Sequence, residues 1–75
     1  MSSSLEWRAI NPPQHSLPNE LKYTLRKKCG DPVRGILTSH DIPYLEGLAD
    51  AGIKGARQLI ELVQEHMEIE VFESY

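Results

Sequence analysis

Seventy-five residues, 40% apolar and 25% charged, with a net charge of −3, describe one small domain spanning 1–75. That composition is too apolar for a disordered chain, and apolar runs of only two or three residues exclude a membrane-spanning helix. A chain this short buries only about 60% of the surface its unfolded form exposes, so its margin of stability is thin.

Cys29 is the only cysteine, which excludes an internal disulfide and a cysteine-rich metal site, and points to a reducing, cytoplasmic setting. It is expected as a small apolar residue near a helix end. No basic and then apolar leader follows Met1, so no secretory signal is read. Charge is uneven. Residues 1–40 carry six basic and three acidic groups, and residues 41–75 carry two basic and eight acidic groups. The expected outcome is that the halves lie close and neutralise each other; the sharper alternative is an acidic surface that attracts a basic partner.

Residues 1–4 and 74–75 are expected to fray. Leu5, Trp7 and Ala9 alternate with polar residues, a strand pattern in which Trp7 anchors the N-terminus to the core. Asn11-Pro12-Pro13-Gln14-His15 reads as an extended connector, because two prolines remove two backbone donors. A helix is predicted from Pro18 to Lys28. Leu17, Leu21, Leu25 and Cys29 form its apolar stripe, Lys22 and Arg26 lie on its exposed side, and Gly30 is its stop.

Asp31-Pro32 marks a turn, and Val33 to Thr38 reads as a strand interrupted by Gly35. Thr38-Ser39-His40-Asp41 fits a capping box, but a helix starting there would place Pro43 where an N–H is needed. Asp41 is therefore preferred as the N-cap, with Ile42, Leu45, Leu48 and Ala49 buried. Gly52 should end that helix as the left-handed residue of a Schellman stop, bringing Ile53 against Leu48. Ala56, Leu59, Ile60, Val63 and Met67 then repeat at helical spacing. Glu68 to Glu73 alternates as a final strand with Ile69 and Val71 inward, and it should pair with the strand at Val33–Thr38. The expected fold is α+β, three helices on a small two- or three-stranded sheet, in the order (β)-α-β-α-α-β.

No motif demands catalysis. Ser39-His40-Asp41 are neighbours in sequence, whereas the members of a catalytic triad converge from separate segments. His15, His40 and His66 lack the spacing of metal ligands on one helix face, so they are expected as surface residues or caps. No enzyme, cofactor or metal is expected. The segment Gly52-Ile53-Lys54-Gly55, opening a helix, resembles the helix-hairpin-helix family of DNA-backbone binders, though its second glycine comes one residue later and Ala56 follows sooner than in that motif. The resemblance covers about twenty residues and implies a nucleic-acid accessory role using Lys54 and Arg57, with Lys22 and Arg26 as a second basic group. The preferred reading is a non-catalytic protein-protein interaction or regulatory module, self-associating through a strand edge. Its contacts are Glu70, Phe72 and Glu73, at the end of an acidic row that begins at Glu61 and Glu65. Phe72 draws attention because it falls on the opposite side of the last strand from Ile69 and Val71.

Overall fold

A computed structural model of the protein describes residues 4–9 and 15–74. The elements in chain order are β1 (Ser4–Arg8), β2 (His15–Leu17), α1 (Glu20–Cys29), β3 (Arg34–Thr38), a 3-10 turn (Ser39–Asp41), α2 (Ile42–Asp50), α3 (Ala56–His66) and β4 (Glu68–Ser74). The class is α+β, as the sequence predicts, with three helices and one antiparallel sheet. The sheet has four strands rather than two or three, in the order β2-β1-β4-β3. The added strand is His15–Leu17, which pairs with β1 through Trp7↔His15 and Leu5↔Leu17. Leu17 thus leaves the predicted helical stripe and joins the sheet core. The rest of the connector before His15 lies outside the described residues.

Odd-numbered strand residues face the helices. Leu5, Trp7, Leu17, Leu37, Ile69 and Val71 are buried there, against Leu21 and Leu25 of α1, Leu45 of α2, and Leu59 and Val63 of α3. Trp7 anchors the N-terminus as expected. Its indole stacks on His15 (5.1 Å) and meets His66 at the end of α3 (5.6 Å), so the exposed His15 and the last-turn His66 both border the core tryptophan. Ser4 and Ser74, expected to fray, form the terminal pair of the β1–β4 ladder. The other residues expected to fray, 1–3 and 75, lie outside the described residues.

Of the two start signals for the second helix, the capping box forms, whereas Asp41 is the N-cap by position and its side chain makes no cap bond to α2. Thr38 N–H donates to Asp41 Oδ2 (3.0 Å) and Thr38 Oγ1 accepts from His40 N–H (3.3 Å), which closes the capping box over the 3-10 turn. α2 then starts one residue after Asp41, with Pro43 in its first turn, where no donor is lost. At its end, Gly52 (φ 82°) donates to Ala49 O and Ile53 to Leu48 O, both at 3.0 Å. That is the Schellman pattern, and it turns the chain within a few residues into α3. Gly55 (φ 92°) packs so tightly on α1 that a Cβ there would lie 2.8 Å from Leu21 Cδ1 and 2.9 Å from Pro18. Met67, expected on the buried stripe of α3, caps it instead at φ 70° and is 79% exposed.

Candidate interaction surface

β4 is the central reference for the sheet face turned away from the helices. The alternation that sends Ile69 and Val71 inward sends Glu68, Glu70, Phe72 and Ser74 outward. Register then assembles two rows across three strands. One row is Glu6–Phe72–Arg34, the other Arg8–Glu70–Ile36. Among the described residues, no buried apolar side chain lies on this face. Phe72 is half-buried beneath the Arg8 guanidinium, which sits 5.3 Å from its ring centroid and also pairs with Glu70. Beside Phe72 lies a shallow hollow of about 220 Å3, whose rim includes Arg8, Arg34, Pro32 and Glu70. Ile36, at 59% exposure, is the other apolar side chain offered to solvent here.

Glu73 also lines the hollow, but it offers no exposed side chain to this surface. It shares the parity of Ile69 and Val71, so it points inward, and its side chain is fully enclosed. Oε1 accepts from Arg26 Nε and from Val33 N–H, and Oε2 accepts from Arg26 Nη2, all at 3.0 Å. This carboxylate ties α1, the start of β3 and β4 together. A charged residue at an inward position was the available signal. It called for a partner on the helix layer, and Arg26 was the basic residue one turn from Lys22.

The acidic row therefore divides. Glu61 and Glu65 are on α3 beyond the core, Glu73 is internal, and Glu70 is paired with Arg8. Arg8–Glu70, Arg26–Glu73 and Lys28–Asp41 (2.9 Å) each join the basic first half to the acidic second half, which is the expected mutual neutralisation. Two of the basic residues considered for nucleic acid are likewise drawn inward. Lys22 is buried, and Arg26 bonds to Glu73 with Asp31 at 3.4 Å. Lys54 is exposed in the α2–α3 turn, while Arg57 lines a groove with Glu46, Asp50 and Glu61. In that turn Ile53 N–H is taken by Leu48 O and Ala56 N–H by Ile53 O, so these amides are turned into the fold rather than outward to an anion.

The sheet has edges at β2 and β3, whereas β4, considered as a pairing edge, is internal. Glu73 N–H donates to Val33 O (3.0 Å), so the pairs Val33–Glu73, Gly35–Val71 and Leu37–Ile69 are the hydrogen-bonded ones. The backbone groups of Arg34, Ile36 and Thr38 consequently face away from β4. Thr38 N–H is already used by Asp41. Partial burial alone would push the Asp41 carboxyl up, but the Thr38 amide and the Lys28 ammonium hold it below its ordinary range. Burial pushes the Cys29 thiol up, which favours the unreactive thiol over a thiolate. Among the described residues no cluster of three His, Cys, Asp or Glu side chains could hold a metal. Among the described residues, no helix is long and apolar enough to cross a membrane. Compared with known protein families, curated proteins and solved structures, the chain has no detectable match.

Proposed function

We propose that this protein is a non-catalytic interaction module of the cytoplasm, and that it meets its protein partner through the open sheet face centred on Phe72. The observation that carries this reading is an aromatic side chain under the Arg8 guanidinium, with Arg34 as its cross-strand neighbour, on a face that no described element covers. Arg8 covers Phe72 only in part, and aromatic and arginine side chains are those that interfaces favour. Glu70 fixes Arg8 over the ring, so it acts by orienting the guanidinium as well as by direct contact. Arg8 over the ring and Arg34 on the neighbouring strand suit a partner segment that brings an apolar side chain to Phe72 and a carboxylate to Arg34.

Affinity capture with the whole chain tests the reading. A partner held by the wild type should be lost on Phe72→Ala and on Glu70→Lys, with circular dichroism showing both variants folded. A partner retained by both folded variants would remove this face from the proposal.

A further inference from the structure

We propose that the protein self-associates by antiparallel pairing of β3 with β3 of a second copy, about a two-fold axis at Gly35. This deepens the interaction-module reading and rests on it. The free edge of β3 offers the backbone groups of Arg34 and Ile36, because Thr38 N–H is committed to Asp41. A two-fold axis at Ile36 would oppose Arg34 to Thr38 of the second copy, whose N–H is spent. An axis at Gly35 opposes Arg34 to Ile36 of the second copy, and Ile36 to its Arg34. Both are hydrogen-bonded pairs, so every open amide of the two edges meets a carbonyl.

Side chains agree with that register. It sets Arg34 beside an isoleucine and not beside another arginine, and it covers part of Ile36, which is 59% exposed. Arg34 has no ion-pair partner among the described residues. Beyond Ile36 of the second copy, in the same row, stands its Glu70. Two strand spacings, about 10 Å between Cα atoms, are within the combined reach of an arginine laid over Ile36 and a glutamate. Gly35 lies on the axis, where the two backbones approach most closely, to about 4.5 Å. It adds no side chain on the helix side, where Cys29 Sγ would already be 3.0 Å from a Cβ.

Sedimentation equilibrium on the full chain, from about 10 µM to about 1 mM, covers the range expected for a small edge interface. The weight-average mass should rise from 8.5 kDa toward twice that value. Ile36→Pro removes an amide that faces away from β4, so the sheet's own ladder is kept. Ile36→Lys places a cation against Arg34 of the second copy while standing beside its own Glu70. Both variants, shown folded by Trp7 fluorescence and circular dichroism, should weaken dimerisation tenfold or more. A mass of 8.5 kDa across the whole range overturns the proposal, as does dimerisation of both folded variants within threefold of the wild type. A monomer that still captures a partner through Phe72 overturns the β3 pairing alone, whereas a β3 dimer without any Phe72-dependent partner overturns the wider reading alone.

Discussion

Ile69 and Ile36 are the same residue type on adjacent antiparallel strands, yet one is 1% exposed and the other 59%. The difference is one of parity. Ile69 faces the helix layer with Leu37 as its cross-strand neighbour, and Ile36 faces solvent beside Glu70. Glu73 and Glu70 repeat the contrast with charge. Glu73 is enclosed and accepts from Arg26 and the Val33 amide, while Glu70 meets Arg8 on the open face. Residue type alone therefore says little about role in this sheet. The side on which a residue falls, and what stands there, decides whether it holds the fold or is offered to a partner.

The sharpest way to break that comparison is to truncate both isoleucines. Ile69→Ala removes packed methyl groups from a fully buried site, and should cost about 2–5 kcal/mol in urea denaturation. Ile36→Ala should cost under about 0.5 kcal/mol, because its side chain is mostly in water already. Equal losses would mean that the outer face is packed in solution. On the dense side, Gly55→Ala must fit a Cβ at φ 92° against Leu21 and Pro18. Overpacking and left-handed strain together should cost about 2–4 kcal/mol, read as a fall in thermal midpoint.

The glutamates come next. Glu73→Ala leaves the Val33 amide and the Arg26 guanidinium without their acceptor. Arg26 is about a third exposed, which softens the loss to about 2–3 kcal/mol. Glu70→Ala breaks a solvent-exposed pair and should cost about 0.5 kcal/mol or less in the same denaturation series.

The smallest effect concerns the capping box at the free edge of β3. Asp41 has a depressed carboxyl pKa, so its stabilisation is present above its unfolded value and is lost as pH falls through the folded value. Asp41→Asn should flatten that part of the acid limb, by about 1 kcal/mol, the usual size of a cap contribution. Denaturation midpoints followed from neutral to acid pH, with and without the substitution, give the difference directly. An unchanged acid limb would show that Asp41 does not hold the turn after β3.

Much of the helix layer was legible in the chain. The Gly30 and Gly52 stops, the Leu48–Ile53 turn and the Leu59/Val63 stripe follow from signals within a few residues of each other, while the pairing of the last strand with Val33–Thr38 follows from the need to satisfy both backbones. The outward position of Phe72 was legible for the same reason, since alternation along one strand is a local rule. The short strand His15–Leu17 was not, because three residues carry too little periodicity and only their pairing with Leu5 and Trp7 makes them a strand.

By itself, then, the sequence determined where the first two helices stop, which strand residues share a side and that Phe72 stands apart from the core, though not the stop of α3 at Met67. Only the tertiary structure decided that β4 lies inside the sheet, that β3 forms an edge, and that Glu73 belongs to the interior with Arg26. The physical reason is range. Caps, turns and alternation act over one to five residues, whereas strand order is set by distant pairings such as Ser4 with Ser74, and the Arg26–Glu73 pair joins groups 47 residues apart; no local preference specifies which distant partner a buried carboxylate will meet.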